Sequence, residues 1–209
     1  MASAAAPLPR LCLVADGFAS GRPGRDARAV RGRAAELVAA GVRWVWLRDH
    51  GAPAAAFYEA ARRLAERLRE LAPDIVLSVG THAATARALG AYLHVGARGD
   101  GAEAAGDVGW GVSAHAPAEV GAAAREGAAY ATLSPLFPTA THPDAVPLGL
   151  GALRRCGPGL PVLALGGITP QRARQARDAG AWGVAVLSDL LLAQRPVWRL
   201  DQYAEALAD

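Results

Sequence analysis

The sequence contains no lysine, so all 22 residues of the Lys and Arg total are arginine. Against 19 Asp and Glu residues they leave a formal net charge of only +3, and no stretch gathers like charges in a run. Proteins that bind nucleic acid or a membrane surface through charge usually carry a concentrated basic patch. The composition therefore argues against nucleic acid and against a membrane surface as partners.

Cysteine is also scarce. Cys12 and Cys156 stand far apart without a CxxC pair, and the start of the chain, MASAAAPLPR, lacks the apolar core of a secretory signal. No apolar run approaches the roughly 20 residues that are needed to cross a bilayer. We therefore expect two free thiols, no disulfide and a cytoplasmic protein.

A repeated unit organises the chain. A helical stretch ends in glycine and a β-branched or aromatic run follows at once, with Gly41, Gly90, Gly127 and Gly180 at these junctions. Glycine stops a helix because it adopts the left-handed conformation readily, and short αβ connections of this kind indicate a parallel sheet. The apolar runs predict eight strands, at residues 11–15, 44–48, 75–79, 92–95, 109–113, 129–134, 162–165 and 183–187.

Amphipathic stretches predict helices at residues 26–40, 54–71, 83–89, 117–126, 148–156, 170–179 and 197–207. Eight αβ units in about 200 residues favour a closed barrel. The alternative, a doubly wound sheet, would carry GxGxxG in its first βα turn, and this motif is absent. We therefore predict fold class α/β, a single compact (β/α)8 TIM barrel over residues 1–209, with residues 1–9 as a disordered tail.

Two strand ends near the C-terminus predict an anion site. Gly166 and Gly167 follow the strand PVLAL, and a helix starts after Thr169, while the next strand, GVAVL, ends at Ser188. Glycine lets backbone N–H groups approach an anion, and the loops after the last two strands of a TIM barrel commonly bind phosphate. The substrate is therefore expected to carry a phosphate, although a glycine pair also suits a simple tight turn.

All histidines fall at or just beyond the C-terminal end of a predicted strand, which is the catalytic face of a TIM barrel. They are His50, His82, His94, His115 and His142. Imidazole exchanges protons near neutral pH, so the set predicts acid–base chemistry at the barrel mouth, while each one alone also suits a structural hydrogen bond. No HxH or HxxxH spacing supports a metal site.

Other polar and aromatic residues stand at the same face. Arg48 ends the second strand, where it could clamp an anion or form a buried ion pair with Asp16 or Asp49. Trp44 and Trp46 share one face of that strand, either toward the barrel interior or toward the helices. The loop SPLFPTATHPDAVPLG is long and proline-rich, which suits a lid.

Six segments occur in order across essentially the whole chain: WLRDH, YLHVG, WGVSAH, YATLSPLFPTATH, PVLALGGI and GVAVLSDL. Together they resemble the thiamine phosphate synthase and TenI (thiazole tautomerase) family. The resemblance implies a small TIM barrel of thiamine biosynthesis that binds a phosphorylated thiazole. For the synthases it also implies coupling to an aminopyrimidine diphosphate, with release of pyrophosphate and help from Mg²⁺.

The resemblance also implies a set of binding residues. The thiazole phosphate would meet the backbone around Gly166, Gly167, Val186, Leu187 and Ser188. The diphosphate pocket would be lined by Arg48, Ser113, Thr139 and Thr141.

The chain departs from the synthases at the metal site. They place Asn-Asp after the third strand and a second Asp after the fourth, where this chain has Gly80-Thr81 and Gly99, with Asp100 one residue further on. Mg²⁺ prefers carboxylate oxygens, so the usual ligands are missing. Synthase lysines correspond to His50 and His142, and a synthase glutamine corresponds to Trp46.

These losses fall on the diphosphate and pyrimidine half of the site. The leading hypothesis is therefore a TenI-type tautomerase, an isomerase that needs an acid–base group and no metal. Its catalytic candidates are His115, His94 and His142, because the histidine of the characterised tautomerases corresponds to Pro135. The second hypothesis is a synthase-type transferase that uses Mg²⁺ with Asp100, and the third is a non-catalytic barrel that binds a phosphorylated ligand. The sequence leaves a homodimer open.

Overall fold

Parallel strands form a closed barrel of eight in the computed structural model of the protein, which describes residues 7–97, 101–141 and 143–208. In barrel order they are β1 Leu11–Asp16, β2 Trp44–Arg48, β3 Val76–Gly80, β4 Tyr92–Val95, β5 Trp110–Ala114, β6 Tyr130–Leu133, β7 Val162–Leu165 and β8 Gly183–Val186. The last strand closes on the first, with Leu11 opposite Val184. The predicted (β/α)8 TIM barrel is confirmed, and each predicted strand overlaps an observed one.

Helices surround the barrel. They are α1 Ala27–Ala39, α2 Ala54–Leu71, α3 Ala83–Leu89, α4 Gly101–Ala105, α5 Pro117–Arg125, α6 Leu150–Arg154, α7 Pro170–Asp178, α8 Ser188–Leu191 and α9 Pro196–Leu207. The predicted helices differ from these by at most two residues at either end. The sequence did not predict α4 and α8, because segments of five and four residues are too short to carry a helical period. Within the described residues, no helix combines the length and the apolar character that crossing a membrane requires.

The main hydrophobic core lies between the strands and the helices. The longest helix, α2, shows how the sequence builds it, because its buried residues are Phe57, Ala61, Leu64, Ala65 and Leu68. Spacings of three and four residues place these side chains on one face of the helix. The opposite face carries arginines and glutamates, which form ion pairs such as Arg62 with Glu66.

Aromatic side chains fill the interior of the barrel. Trp44 and Trp46 point inward and cluster with Tyr130, and Cys12 lies among them as a buried free thiol. The rings of Trp44 and Tyr130 meet edge to face with centroids 4.7 Å apart. On β5, a Cβ at Gly111 would overlap the Tyr130 ring. The interior is therefore solid beneath the mouth, and both tryptophans take the inward one of the two predicted orientations.

We expect Gly111→Ala to lower the free energy of unfolding by about 1–3 kcal/mol, because a methyl group inserted against Tyr130 overpacks a full interior. Gly121→Ala provides a matched control. That glycine lies in α5, and no atom stands within 4 Å of the position that a new methyl group would take, so alanine should raise the free energy by roughly 0.5–1 kcal/mol through helix propensity. Urea unfolding of both variants measures the difference. Equal effects would mean that the Tyr130 ring moves aside freely.

The chain is attached to the barrel before β1 begins. Leu8 packs against the interior cluster, and its carbonyl accepts a hydrogen bond from Trp182 Nε1 at 2.9 Å. Arg10 Nη1 donates to the carbonyl of Leu207 at the other end of the chain. Of the predicted tail, residues 1–6 lie outside the described residues.

Candidate active site

A cavity of about 770 Å³ opens at the C-terminal ends of the strands. It is lined by the predicted site residues Arg48, Ser113, His115, Thr139, Thr141, Gly166, Gly167, Val186, Leu187 and Ser188. Folding thus brings together residues from β2, β5, β6, β7 and β8. The two other catalytic candidates differ: His94 is buried beneath the cavity, and His142 lies outside the described residues.

Two half-buried glycines line one part of the cavity. Gly166 and Gly167 both have a left-handed backbone, with φ of +93° and +64°. The loop after β6 lies directly on them, and Phe137 N donates to the carbonyl of Gly166 at 3.1 Å. A Cβ on Gly167 would collide with the carbonyl oxygen of Pro138. Glycine is therefore required at this position both for its conformation and for its size.

Arg172 adds a positive charge to this part of the cavity, and the sequence interpretation missed it. It is the third residue of α7, and its backbone N–H donates to Thr169 Oγ1, the N-cap. Its guanidinium donates from Nη1 to the carbonyl of Gly167 at 2.6 Å and lies over the Phe137 ring, 5.0 Å from the centroid. It also lines the cavity. The sequence could have indicated Arg172, because this residue stands in the first turn of the helix that follows the glycine pair.

The loop between β6 and α6 forms one wall. Its two ends are joined by hydrogen bonds from Leu148 N to the carbonyl of Pro135 and from Gly149 N to the carbonyl of Leu136, at 2.9 and 3.0 Å. Between these ends, Thr139 and its neighbours face the cavity. The loop therefore has a fixed base, and its role as a lid stays a prediction.

A buried hydrogen-bond network supports the floor. His94 Nε2 lies 2.9 Å from Ser113 Oγ and its Nδ1 lies 2.9 Å from the Tyr130 hydroxyl, which donates to Ser78 Oγ. Trp44 Nε1 donates to the same Ser78 oxygen. Burial lowers the pKa of His94 to about 3, with a smaller contribution from Arg48, so this imidazole is neutral at physiological pH. His94 thus orients Ser113, and Ser113 is the residue that faces the cavity.

Of the two catalytic candidates that the structure describes, His115 has direct access to the cavity. Its Nδ1 lies 2.8 Å from the carbonyl oxygen of Ser134 and must donate to it, because a carbonyl only accepts. The backbone N–H of His115 donates to the Glu119 carboxylate at 2.6 Å. In the neutral imidazole the other nitrogen, Nε2, is left as a proton acceptor. A proton-transfer role for His115 stays a prediction, with its tautomer now assigned.

The opposite side of the mouth contains Arg48 and a buried carboxylate. Arg48 Nε donates to Asp16 Oδ1 at 2.9 Å, and Asp16 is only 3% exposed. Arg48 also lines the cavity and lies over the Trp46 ring. Arg48 can therefore contact an anion in the cavity and form a buried ion pair at the same time. Its ion-pair partner is Asp16 rather than Asp49.

Asp49 instead holds the β1–α1 loop, residues 17–26. Its carboxylate accepts four hydrogen bonds, from the backbone N–H of Ala19, Ser20 and Gly51 and from Ser20 Oγ. Burial acts to raise the pKa of Asp49, but these hydrogen bonds outweigh it and lower the pKa below its ordinary value. The ionised form of Asp49 therefore anchors the loop.

We expect this loop to loosen at acid pH. Since the pKa of Asp49 is lower in the folded protein than in the unfolded chain, its stabilisation is present above the unfolded value of about 4 and is lost as pH falls through the folded value. Proteolysis of the loop between pH 7 and pH 3 measures this. Asp49→Asn should loosen the loop at every pH, while Asp74→Asn, at an exposed ion pair with Arg43, should keep the wild-type profile. A wild-type profile for Asp49→Asn would contradict the expectation.

The two remaining histidines differ in access. His50 lines the cavity, and burial followed by the positive charge of Arg48 lowers its pKa. His82 stacks on Phe57 with ring centroids 3.9 Å apart, and burial lowers its pKa as well. His50 is thus a neutral polar group of the cavity wall, whereas the ring of His82 packs against Phe57.

Comparison with known proteins identifies the family. A family model described as thiamine monophosphate synthase matches residues 20–190. The thiamine-phosphate synthase of Koribacter versatilis is 34% identical over 198 residues, which cover 90% of this chain and 92% of the relative. The chain belongs to the thiamine monophosphate synthase family.

Other members of the thiamine monophosphate synthase family match over different lengths. The thiamine-phosphate synthase of Geobacillus kaustophilus is 38% identical over 55% of this chain and 56% of its own length. For three curated relatives the alignment spans about half of the relative, from 40% to 56%. The solved thiamine phosphate pyrophosphorylase of Pyrococcus furiosus has a TM-score of 0.80 at 25% identity, over 95% of each chain. The resemblance found in the sequence is thereby confirmed.

The Mg²⁺ that the resemblance implies for synthases does not fit the described residues. At the end of β3, a Cβ on Gly80 would lie 3.3 Å from Trp46 Nε1, so Trp46 fills the space that a longer side chain would use. Thr81 has φ +59°, a backbone that suits Asn or Asp and strains a β-branched residue. No group of three or more His, Cys, Asp or Glu side chains in the described part of the chain could hold a metal ion. Asp100 lies outside that part.

Proposed function

We propose that the protein is a transferase of the thiamine-phosphate synthase type, which joins a phosphorylated thiazole to an aminopyrimidine diphosphate and releases pyrophosphate. The observation that carries the proposal is one cavity lined by two cationic groups from separate parts of the barrel. Arg172 stands beside the glycine pair after β7, and Arg48 ends β2. Strands β8 and β1 lie between them. An isomerase of one phosphorylated substrate needs one anion site, whereas coupling two phosphorylated substrates needs two.

The size of the cavity and the names of the relatives support the same reaction. At about 770 Å³ the cavity is in the upper part of the roughly 300–1,000 Å³ range of small-molecule sites. The Koribacter versatilis relative, which aligns over nearly its whole length, is named a thiamine-phosphate synthase. Two substrates held in one cavity react as a unimolecular pair, which removes much of the entropic barrier to coupling.

Different residues would bind the two substrates. The thiazole phosphate would bind to backbone amides around Gly166 and Gly167 and to Arg172. The diphosphate would bind near Arg48, Thr139 and Thr141. As pyrophosphate leaves, negative charge grows on it, and a fixed guanidinium stabilises that charge without reorganising. Neutral His94 donates from Nδ1 to the Tyr130 hydroxyl and accepts the Ser113 proton at Nε2, so Ser113 presents an acceptor oxygen to the cavity and would contact a donor group of the substrate.

Mass spectrometry of a coupling reaction tests the proposal. Protein incubated with thiazole phosphate and aminopyrimidine diphosphate, in EDTA and separately in Mg²⁺, should form thiamine phosphate and an equal amount of pyrophosphate. Reactions that lack either substrate serve as controls. If no thiamine phosphate forms in either buffer while thiazole phosphate still binds, the transferase assignment is wrong.

A TenI-type tautomerase is the second candidate, favoured by His115. Its Nδ1 proton is committed to the Ser134 carbonyl, so Nε2 is available to accept a proton at the cavity wall. Isomerisation of a thiazole phosphate in the absence of the pyrimidine substrate would support this activity if His115→Gln abolishes it and His82→Gln, at the histidine stacked on Phe57, retains it. Equal rates in the two variants would remove His115 from the mechanism.

A further inference from the structure

Three arginines converge on one buried carboxylate beside the cavity. Asp16 Oδ1 accepts from Arg48 Nε at 2.9 Å and from Arg22 Nη2 at 3.5 Å. Arg25 Nη1 lies 3.5 Å from Asp16 Oδ2. We call Arg22, Arg25 and Arg48 the arginine cluster. Three positive charges and one negative charge leave a net charge of +2, in a setting that water screens less than an open surface.

Two buried donor atoms of the cluster make no hydrogen bond among the described residues: Arg22 Nε, and Arg25 Nη1, whose 3.5 Å ion pair with Asp16 Oδ2 lacks hydrogen-bond geometry. A buried donor that makes no hydrogen bond costs free energy, above all when it is charged, so these two atoms favour an acceptor such as a water molecule or a bound anion. An anion with several oxygens matches this arrangement, because guanidinium groups bind phosphate oxygens through parallel hydrogen bonds.

The β1–α1 loop fixes the positions of Arg22 and Arg25 before any ligand binds. Arg22 and Arg25 pair through two backbone hydrogen bonds of 2.8 Å. A Cβ on Gly17 would lie 2.8 Å from Arg22 Cγ, so the loop folds back on itself only because that residue is glycine. The fully buried ring of Phe18 and the four hydrogen bonds to Asp49 fix the loop to the barrel. Arginines gathered in advance lose little entropy when they bind an anion.

The cluster is continuous with the cavity. Arg48 lines the cavity directly, and Arg22 shares the Asp16 Oδ1 atom with it. His50, on the cavity wall, lies within the electrostatic range of both arginines, since both contribute to lowering its pKa after burial. An anion bound at Arg48 therefore lies beside the remaining charges of the cluster.

We infer that Arg22 and Arg25 join Arg48 in a subsite that binds the diphosphate group without a divalent metal. The net charge of the cluster equals that of one Mg²⁺, and two described carboxylates at this side of the mouth are already engaged, Asp16 with the arginines and Asp49 with the loop. The inference rests on the proposed transferase function, because only that reaction brings a diphosphate to this end of the cavity.

Calorimetric binding of inorganic pyrophosphate to the full chain tests the inference, first in EDTA and then in Mg²⁺. Wild-type protein should bind in EDTA, with an affinity that Mg²⁺ does not improve. The Arg22→Gln/Arg25→Gln double variant should bind roughly 100-fold more weakly, since two charge-assisted hydrogen bonds are lost. Arg62→Gln/Arg67→Gln, which removes the same charge from the exposed face of α2, should bind as wild type does.

Two results would overturn the inference: wild-type binding that requires Mg²⁺, or a double variant that binds pyrophosphate like wild type. The first comparison uses only the wild-type protein, so it stands even if the double variant fails to fold. Retained binding of thiazole phosphate at the other end of the cavity establishes that the variant is folded.

The coupling reaction separates this inference from the proposed function. Pyrophosphate binding in EDTA without formation of thiamine phosphate in any buffer would leave the subsite in place and remove the transferase. Formation of thiamine phosphate only in Mg²⁺ would support the transferase and remove the metal-free subsite. Formation in EDTA, reduced in the Arg22→Gln/Arg25→Gln variant, is the result expected if both are correct.

Discussion

Gly167→Ala is expected to weaken binding of a phosphorylated thiazole by about 100-fold or more, which is the scale of losing two charge-assisted hydrogen bonds from the backbone. The residue has φ +64°, and a Cβ would collide with the carbonyl oxygen of Pro138 and contact Phe137. Neither neighbour is the free end of a flexible side chain, so the backbone around Gly166 and Gly167 must shift. The amides that would meet the phosphate move with it. Calorimetric titration with thiazole phosphate measures the loss.

Gly180→Ala is the matched control for this substitution. Gly180 follows α7 at the opposite end of the helix, with φ +100° and no atom within 4 Å of a new methyl group. It imposes the backbone strain of a positive φ without the collision at the phosphate end. The control should therefore be destabilised but should bind thiazole phosphate with wild-type affinity. Equal losses of affinity in both variants would show that general destabilisation, rather than the shape of the glycine pair, controls binding.

Arg48→Met is expected to reduce kcat/KM for the coupling reaction about 100- to 1,000-fold, the usual cost of removing one fixed group that stabilises developing charge. It should also lower the free energy of unfolding by roughly 1–3 kcal/mol, because the Asp16 carboxylate loses its shortest hydrogen bond while it stays buried. Arg22 and Arg25 remain near Asp16, at 3.5 Å, and limit that loss. Steady-state kinetics and urea unfolding of the same preparation measure the two effects.

The Asp16→Asn/Arg48→Met double variant separates the two roles of Arg48. Removing the carboxylate relieves the charge that loses Arg48, but it also takes the counter-charge from Arg22 and Arg25, so only part of the stability lost in Arg48→Met should return. Activity should not return, since the guanidinium that faces the cavity is still missing. A fall in stability with unchanged kcat/KM in Arg48→Met would mean that this arginine is only a structural bridge, which is the alternative that the sequence left open.

The fold could be predicted from the sequence because its signals are local and repeated. Glycines such as Gly90 and Gly180 stop helices, the apolar runs that follow them are the strands, and the same order recurs around the barrel. The burial of the His94 ring on β4 was harder to predict. His94 stands near a strand end in sequence, but whether its ring reaches the cavity depends on which neighbours fill the interior, and Ser113 and Tyr130 lie against it.

The candidate site was predictable where it follows strand ends and was not predictable where it depends on a loop. Arg48, Ser113 and Thr139 line the cavity as the sequence predicts. The approach of Arg22 and Arg25 to Asp16 arises from a fold of the β1–α1 loop that has no helical or strand period. Nothing in the spacing of those arginines indicates that they meet one carboxylate.

The Ser78 hydroxyl connects the barrel floor to the active-site surface. It accepts hydrogen bonds from Trp44 and Tyr130, and through Tyr130 and His94 it reaches Ser113 at the cavity. An apolar residue in place of Ser78 would deprive two ring donors of their acceptor at once, and no single second substitution could restore both. Changing the cavity floor by mutation therefore requires several interior substitutions at once. We expect changes in substrate specificity to arise first through substitutions in the loops around the cavity.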